Sequence, residues 1–318
     1  MTPVPKQLPL PLPGFNQRWR SHKVRYRPAG EVIDTRLYEV EPIDEDSGPR
    51  AFVRQHHYTA SYPAARRRFG IFQSGECVGV AVFSNPCSDL VLLNAFPGLT
   101  SASCALELGR FVLLDTVPGN GETYMLARCF ELLRKEGFAG VVAFSDPVPR
   151  TTARGDSIFV GHWGSIYAAH NATYLGRATP RTLRLLPDGR VLSDRTIQKI
   201  RAGHRGWRGG AAILQSYGAG PAPEDPHARS AWLAGALATL TRPLRHTGNY
   251  KYCWALDPAL SRSMPASLPW PVTPVQLAAI RIRLASQGLS PNVECKRLMG
   301  CALESLSKGG ADYYRRHP

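Results

Sequence analysis

Two adjacent histidines and a tyrosine, in the segment Arg54-Gln-His-His-Tyr58, are the first residues of this sequence whose types could do chemistry. Imidazole changes its charge near neutral pH, so His57 could act as a general base, and imidazole and phenol together could ligate a metal. The alternative is a polar loop whose imidazoles face water, and the segment taken alone favours that alternative.

A carboxylate follows the apolar run of residues 139–145, in the segment Ser145-Asp146-Pro147. The run predicts a strand in the middle of a sheet, and open α/β sheets place functional groups at the carboxyl ends of such strands. Asp146 is therefore a candidate functional carboxylate. The alternative is a turn cap, because Asp-Pro starts many turns. Tyr167 lies further on, in a predicted helix near 162–171.

A third candidate is the loop Val117-Pro-Gly-Asn-Gly121, which lies between a predicted strand at 104–115 and a predicted helix at 121–136. Such a turn exposes consecutive backbone N–H groups at a helix N-terminus, where a phosphate or pyrophosphate can bind. The spacing is neither a Walker A motif nor GxGxxG. An ordinary strand-to-helix turn therefore remains the alternative.

Alternating or continuous apolar runs predict the elements that must position these residues. The order is β-β-β-α-β-α-β, with a βαβ crossover over 104–145, and it predicts a mixed α/β fold. The predicted strands are 69–73, 77–84, 104–115, 139–145, 172–177 and 181–186, and the predicted helices are 121–136 and 162–171.

The charge of the chain is strongly positive, with 39 Lys and Arg against 24 Asp and Glu and a formal net charge of +15. Such an excess attracts polyanions. The basic residues cluster, since 177–208 holds nine Lys or Arg and two Asp. We therefore expect a nucleic acid partner, with solvated arginine-rich surface as the alternative. The candidate phosphate contacts are Arg66, Arg67, Arg68, Arg201, Arg205 and Arg208.

Composition predicts four regions along the chain. Residues 1–30 are Pro-rich and basic and predict a poorly ordered or extended arm. A main domain is expected over 31–258, a linker over 259–272, and a helical module over 273–318, which opens with the helix-starting pair Thr273-Pro274. Seven cysteines without a CxxC motif, and the lack of a membrane-length apolar run, predict a cytoplasmic protein without a membrane partner.

Five segments occur together in a characteristic order. They are His57-Tyr58, Leu106-Glu-Leu-Gly-Arg-Phe-Val-Leu113, Phe144-Ser-Asp-Pro147, Gly164-Ser-Ile-Tyr-Ala-Ala-His-Asn-Ala-Thr-Tyr-Leu-Gly176 and His246-Thr-Gly-Asn-Tyr-Lys-Tyr252. This succession, over about residues 50–258, resembles the phage Mom DNA-modification family. The layout of the predicted elements resembles the GNAT acyltransferases.

The resemblance implies a GNAT-like fold, a mixed and mostly antiparallel sheet with a βαβ crossover, followed by a small C-terminal helical appendage. The implied activity converts the N6 amino group of adenine in DNA to a carbamoylmethyl (acetamido) derivative, in the cytoplasm of a bacterial host cell. This modification protects phage DNA from restriction. The implied cofactor is acetyl-CoA, with an iron ion as a second candidate.

The resemblance also implies roles for individual residues. The CoA phosphates would be held by Arg110 and by the loop residues Val117, Gly119, Asn120, Gly121 and Glu122. The reacting or metal-binding centre would comprise His57, Tyr58 and Asp146, with Tyr167 as a further catalytic candidate. Two other functions stay open: a conventional GNAT N-acetyltransferase of a protein or small amine, and a non-catalytic DNA-binding protein on the same scaffold.

Overall fold

The computed structural model describes residues 15–28 and 31–271 of the chain. The elements in chain order are β1 (Phe15–Arg20), β2 (Lys23–Pro28), β3 (Tyr38–Pro42), α1 (Ser47–His56), β4 (Ala65–Gln73), β5 (Glu76–Ser84), α2 (Leu90–Leu93), β6 (Ala105–Leu113), α3 (Gly121–Lys135), β7 (Gly140–Ser145), β8 (Arg150–Thr151), β9 (Ser157–Phe159), α4 (Ser165–Ala169), β10 (Thr173–Arg177), β11 (Arg181–Leu185), β12 (Val191–Leu192), α5 (Asp194–Ala202), α6 (Trp207–Gln215), α7 (Pro226–Leu240), β13 (Arg242–His246), β14 (Tyr250–Ala255) and α8 (Pro258–Arg262).

The chain divides into two compact units. Unit 1 comprises residues 1–147, 162–177 and 249–318, and unit 2 comprises residues 148–161 and 178–248. The domain expected over 31–258 contains parts of both. The module expected over 273–318 lies outside the described residues.

Unit 1 is built on a seven-stranded sheet in the order β10-β14-β7-β6-β5-β4-β3. Every neighbouring pair is antiparallel except β6 and β7, which run parallel and are joined by α3. A right-handed strand-helix-strand crossover is the usual way to connect parallel neighbours. The predicted fold class, a mixed α/β fold with a mostly antiparallel sheet and a βαβ crossover, is confirmed.

The parallel pair β6–β7 explains where a site can form. Its paired residues run only from Ala105 opposite Gly140 to Leu108 opposite Ala143. Beyond them, the last residues of β6 pair with β5 alone, and the last residues of β7 pair with β14. A β-bulge in the β5–β6 ladder follows Leu108, and bulges bend a strand and turn its side chains. Side chains near the carboxyl ends of β6 and β7 therefore face the opening between these strands.

Helix α3 covers one face of this sheet. Its apolar residues recur every three or four positions and are buried, as a core-facing stripe requires. They are Met125, Leu126, Cys129, Phe130 and Leu133. Gly137 follows with a φ of 88°, a left-handed conformation that glycine adopts without strain. Helix α1 covers the other face, where Val53 packs against Val80, Val82 and Val112.

Residues 15–28 form an antiparallel hairpin, β1–β2, within the arm that was expected to be poorly ordered or extended. Ser21 and His22 turn the chain with φ values of 49° and 62°. The hairpin is ordered because Arg18 and Trp19 are buried, at 2% and 7% exposure. A basic residue at an inward position is not visible in a hydrophobicity pattern, so the sequence did not reveal this strand.

Unit 2 has its own apolar core. Its helices α5, α6 and α7 pack around Ile197, Ile200, Trp207, Leu214 and Leu233. Its strands form a three-stranded sheet in the order β12-β11-β13 and a separate pair, β8–β9. Within the described parts of the chain, no helix is long and apolar enough to cross a membrane.

Candidate functional site

A cluster of ionisable side chains lies where β6 and β7 part. The charge of each member either shifts the pKa of another member or is felt in its own pKa, which requires that they lie near one another. The end of α1 supplies two members, β6 supplies two, the end of β7 supplies one, and α4 with the segment before it supplies two. The cluster consists of His57, Tyr58, Glu107, Arg110, Asp146, His162 and Tyr167.

His57 is the residue that follows α1, and its imidazole is 7% exposed. The backbone N–H of Thr59 donates to His57 Nδ1 at 3.2 Å, and Thr59 Oγ1 lies 2.9 Å from the same nitrogen. Burial holds the pKa of His57 well below its usual value, and the charges of Arg110, His162 and His22 lower it further. The ring is therefore neutral near pH 7. Because Nδ1 accepts a hydrogen bond, Nε2 carries the proton.

Arg110 lies within this cluster, away from the phosphate-type loop with which the resemblance had grouped it. Its Nε donates to the backbone oxygen of Ser61 at 2.8 Å, and Nη2 donates to Ser61 Oγ at 2.6 Å. Burial lowers its pKa, and Tyr58, Glu107 and Tyr167 oppose that change. A guanidinium starts from a pKa above 12, so this one is a fixed cation beside two phenols. Such a cation stabilises negative charge that develops during a reaction.

Glu107 lies on β6, three residues before Arg110. Burial raises the pKa of its carboxyl group, and the positive charge of Arg110 opposes the rise. Sequence reasoning did not select Glu107, although an acid between two core leucines in Leu106-Glu-Leu108 is a signal of a buried functional carboxylate.

Tyr167 on α4 is 4% exposed. Burial raises its pKa, Tyr58 and Glu107 raise it further, and Arg110 opposes them. The phenol is therefore a neutral hydrogen-bond donor at any physiological pH. The ring centroids of Tyr167 and His162 are 5.5 Å apart. The structure thus places Tyr167 near His162, Tyr58 and Glu107, and its catalytic role remains a prediction.

His162 was missed in the sequence, where only the Gly161-His-Trp163 segment hinted at it. Its backbone N–H donates to the backbone oxygen of Asp146 at 2.6 Å, which ties the segment before α4 to the end of β7. Burial lowers the pKa of His162 to about 4, and the nearby Asp146 carboxylate opposes the shift. His162 is thus neutral at neutral pH.

This shift predicts how stability depends on pH. An unfolded histidine takes up a proton near pH 6.5, whereas His162 in the folded chain does so only near pH 4. Its contribution to stability is therefore complete above pH 6.5 and is lost as the pH falls toward 4. We expect it to account for about 2 kcal/mol of the loss in unfolding free energy between pH 7 and pH 5. Urea titrations of wild type and of His162→Gln at pH 7 and pH 5 measure this loss of unfolding free energy. Equal losses in the two proteins would contradict the prediction.

The proposed metal ligands are His57, Tyr58 and Asp146. Searched over 15–28 and 31–271, the structure has no group of three or more His, Cys, Asp or Glu side chains that could hold a metal ion. The cationic Arg110 also faces His57 and lowers its pKa, which disfavours a second positive charge there. The positive charge of Arg110 beside His57 therefore does not fit an iron site at these three residues.

The loop between β6 and α3 is the predicted pyrophosphate site. Val117, Gly119, Gly121 and Glu122 are buried in it, and Asn120 is half-buried. Glu122 pairs with the buried Arg18 of the hairpin, and the Gly119 N–H donates to the Glu31 carboxylate at 2.9 Å. Two carboxylates thus stand where the anion would bind. The loop residues, as they stand in this structure, do not fit the pyrophosphate of CoA.

The arginines predicted to bind DNA fall into two groups. Arg66, Arg67 and Arg68 lie on β4 and bond within unit 1, where Arg67 pairs with Glu136 and Arg68 with Asp46. These residues are half-buried rather than part of a solvated face.

The second group lies on unit 2. Arg201 ends α5, Arg205 lies in the turn before α6, and both are exposed without a carboxylate partner in the part of the chain that is described. Arg208 on α6 pairs with Glu224 at 2.7 Å.

No curated protein matches this sequence. Among solved structures, an N-acetyltransferase from Staphylococcus aureus Mu50 superimposes over 60% of this chain and 68% of its own, with a TM-score of 0.25 and 11% identity. The profile of the Mom protein family matches residues 37–215, more than half of the chain. All seven residues of the cluster fall within the matched segment. The chain therefore belongs to the Mom family of phage DNA-modification proteins.

Proposed function

We propose that this protein converts the N6 amino group of adenine in DNA to a carbamoylmethyl derivative and so shields phage DNA from restriction. The observation that carries the proposal is the cluster around Arg110, in which His57 and Tyr167 are buried and the other five residues are half-buried. All seven lie within the segment that matches the Mom family. A fixed cation, two phenols and a carboxylate in one place can take up the proton that an amine loses when it forms a new bond, and can stabilise negative charge on the group that it reacts with.

The cluster supplies distinct roles. Arg110 stabilises negative charge on the group that reacts, and His57 donates a hydrogen bond from Nε2. Glu107 is the proton acceptor that we assign, because burial brings the pKa of its carboxyl group closer to neutrality. Enzymes that modify a base take it out of the stack, so we expect the adenine to leave the stack before it reaches this cluster, at a cost of a few kcal/mol.

The family resemblance implies acetyl-CoA as the source of the transferred group. Acetyl-CoA is therefore the proposed donor, although the loop after β6 does not fit its pyrophosphate.

Unit 2 supports DNA as the partner. It carries 13 Arg and Lys against five Asp and Glu within residues 148–161 and 178–248. Several of its arginines are exposed, among them Arg181, Arg195, Arg201 and Arg205. Such a surface binds phosphates without reading sequence.

Neutralising Arg201 and Arg205 together with glutamine is expected to weaken DNA binding and to flatten its salt dependence. Each lost phosphate contact lowers the slope of log K against log salt by about 0.9, so the pair should remove about 2. Fluorescence anisotropy at several salt concentrations measures the slope. Arg36→Gln/Arg128→Gln is the matched control, since it removes the same charge from exposed positions of unit 1. If the control and the test variant have the same slope, then Arg201 and Arg205 do not contact DNA phosphates.

The function itself can be tested by restriction. DNA from bacteria that express the protein should resist an endonuclease whose site contains adenine, because the modified base no longer presents its amino group. An endonuclease with a site of only G and C should cut the same DNA fully. Tyr58→Phe should restore cutting at the adenine-containing sites. Full cutting at those sites in the wild-type sample would contradict the proposal.

A further inference from the structure

The loop between β6 and α3 is already filled by a side chain of this same protein. Arg18, on the first strand of the hairpin, reaches three of its carbonyl groups: Nη1 donates to Leu114 at 2.5 Å and to Val117 at 2.8 Å, and Nη2 donates to Pro118 at 2.9 Å. The same guanidinium pairs with Glu122 through contacts of 2.5 and 2.8 Å. All five of these contacts are buried or partly buried.

Two glycine amide groups of the loop are also taken. The Gly119 N–H donates to Glu31, whose carboxylate is held by Arg27 at 2.5 Å. The Gly121 N–H donates to the carbonyl of Pro118 at 2.9 Å. A loop that binds phosphate needs these N–H groups free and no carboxylate nearby. Here the N–H groups of Gly119 and Gly121 have partners, and the carboxylates of Glu31 and Glu122 would repel the anion.

The end of β1 and the turn of the same hairpin contact the residues that follow α1, among them Tyr58 and His57 of the cluster. The ring of Trp19 lies 4.8 Å from that of Tyr58. The backbone N–H of Ser21 donates to His56 Nδ1 at 3.3 Å, and His22 Nδ1 lies 2.8 Å from the backbone oxygen of His57. Removing the hairpin from the loop would therefore also strip contacts from the residues that follow α1.

We propose that the β1–β2 hairpin is a fixed part of the active site that takes the place of a donor pyrophosphate on the loop after β6. The donor of the transferred group is then held elsewhere, whatever its chemistry. The part that concerns the reaction rests on the proposed function, whereas the part that concerns the loop does not.

A reversible cross-link tests this. Asn16 donates from its side chain to the backbone oxygen of Gly119, so Asn16→Cys/Gly119→Cys places two thiols at the contact between hairpin and loop. Peptide mapping verifies the link in the oxidised full-length protein, and the oxidised wild type and the two single variants control for the native cysteines. Two quantities are compared before and after reduction: the affinity for CoA by calorimetry, and the rate of adenine modification.

The locked and reduced proteins should agree within about threefold in both quantities, because the hairpin never leaves the loop. A locked protein that loses CoA affinity or activity tenfold or more, and regains it on reduction, would overturn the inference. If the link does not form, Arg18→Lys loosens the hairpin while keeping its charge, and tighter binding of CoA or inorganic pyrophosphate by that variant would overturn it instead. If wild type modifies no DNA, the proposed function fails, and the CoA titration still decides about the loop.

Discussion

Replacing Arg18 by methionine is expected to lower the free energy of unfolding by about 3–5 kcal/mol. The side chains of Arg18 and Glu122 are 1% and 3% exposed, so the substitution leaves a buried carboxylate without its partner. Three backbone carbonyls lose their donor at the same time. Urea unfolding followed by circular dichroism measures the loss, as a shift of the midpoint with little change of slope.

The double variant Arg18→Met/Glu122→Leu separates this cause from a loss of packing. It removes both charges, so it should regain most of the stability that the single variant loses. The exposed pair Arg128–Glu131 is the matched control, because Arg128→Met should cost less than about 1 kcal/mol. If Arg18→Met lowers the free energy of unfolding by as little as Arg128→Met does, then the hairpin does not dock on the loop.

Replacing Arg110 by methionine should reduce adenine modification about 100-fold or more. Preorganised groups that stabilise developing charge contribute about that much in enzymes. The charge of Arg110 lowers the pKa values of Glu107 and Tyr167, and Tyr58 in turn raises the pKa of Arg110. Methionine keeps the length of the side chain and removes its charge. DNA affinity should change little, since the proposed phosphate contacts are exposed arginines of unit 2 and Arg110 belongs to unit 1.

A second readout keeps this prediction independent of turnover. Arg110 lowers the pKa of His57, so the pKa of the imidazole should rise in Arg110→Met, as followed by its NMR signals. Normal modification by a folded Arg110→Met protein would remove Arg110 from the mechanism. If activity falls but the pKa of His57 does not rise, then Arg110 does not lie near the His57 imidazole.

The sequence predicted the central elements well, because their signals are local. The apolar run of 139–145 and the amphipathic helix of 121–136 correspond to β7 and α3, and their order predicted the parallel pair. The hairpin escaped notice, because Arg18 is buried through hydrogen bonds that only the folded chain provides. A hydrophobicity pattern treats such a residue as surface.

The site was only partly predictable for a related reason. His57, Tyr58, Asp146 and Tyr167 are residue types that attract attention next to strand ends, and the structure brings them together with Arg110. Glu107 had a local signal in its two core neighbours, but its place in the cluster depends on the bulge in β6. The place of His162 depends on its hydrogen bond to Asp146. Neither the bulge nor this hydrogen bond has a local sequence signature. Arg66, Arg67 and Arg68 looked like a basic surface, yet Arg67 and Arg68 pair with carboxylates that lie far away in sequence.

Mass spectrometry of nucleosides tests the central claim most directly. DNA is taken from cells that express wild type, His57→Ala, Asp146→Ala or Arg128→Met, digested to nucleosides, and separated. We predict a new deoxyadenosine whose added mass and fragments place a carbamoylmethyl group on N6 in the wild-type and Arg128→Met samples. It should be absent or strongly reduced in the His57→Ala and Asp146→Ala samples. Unmodified deoxyadenosine in every sample, from proteins that are folded and expressed at equal levels, would contradict the account.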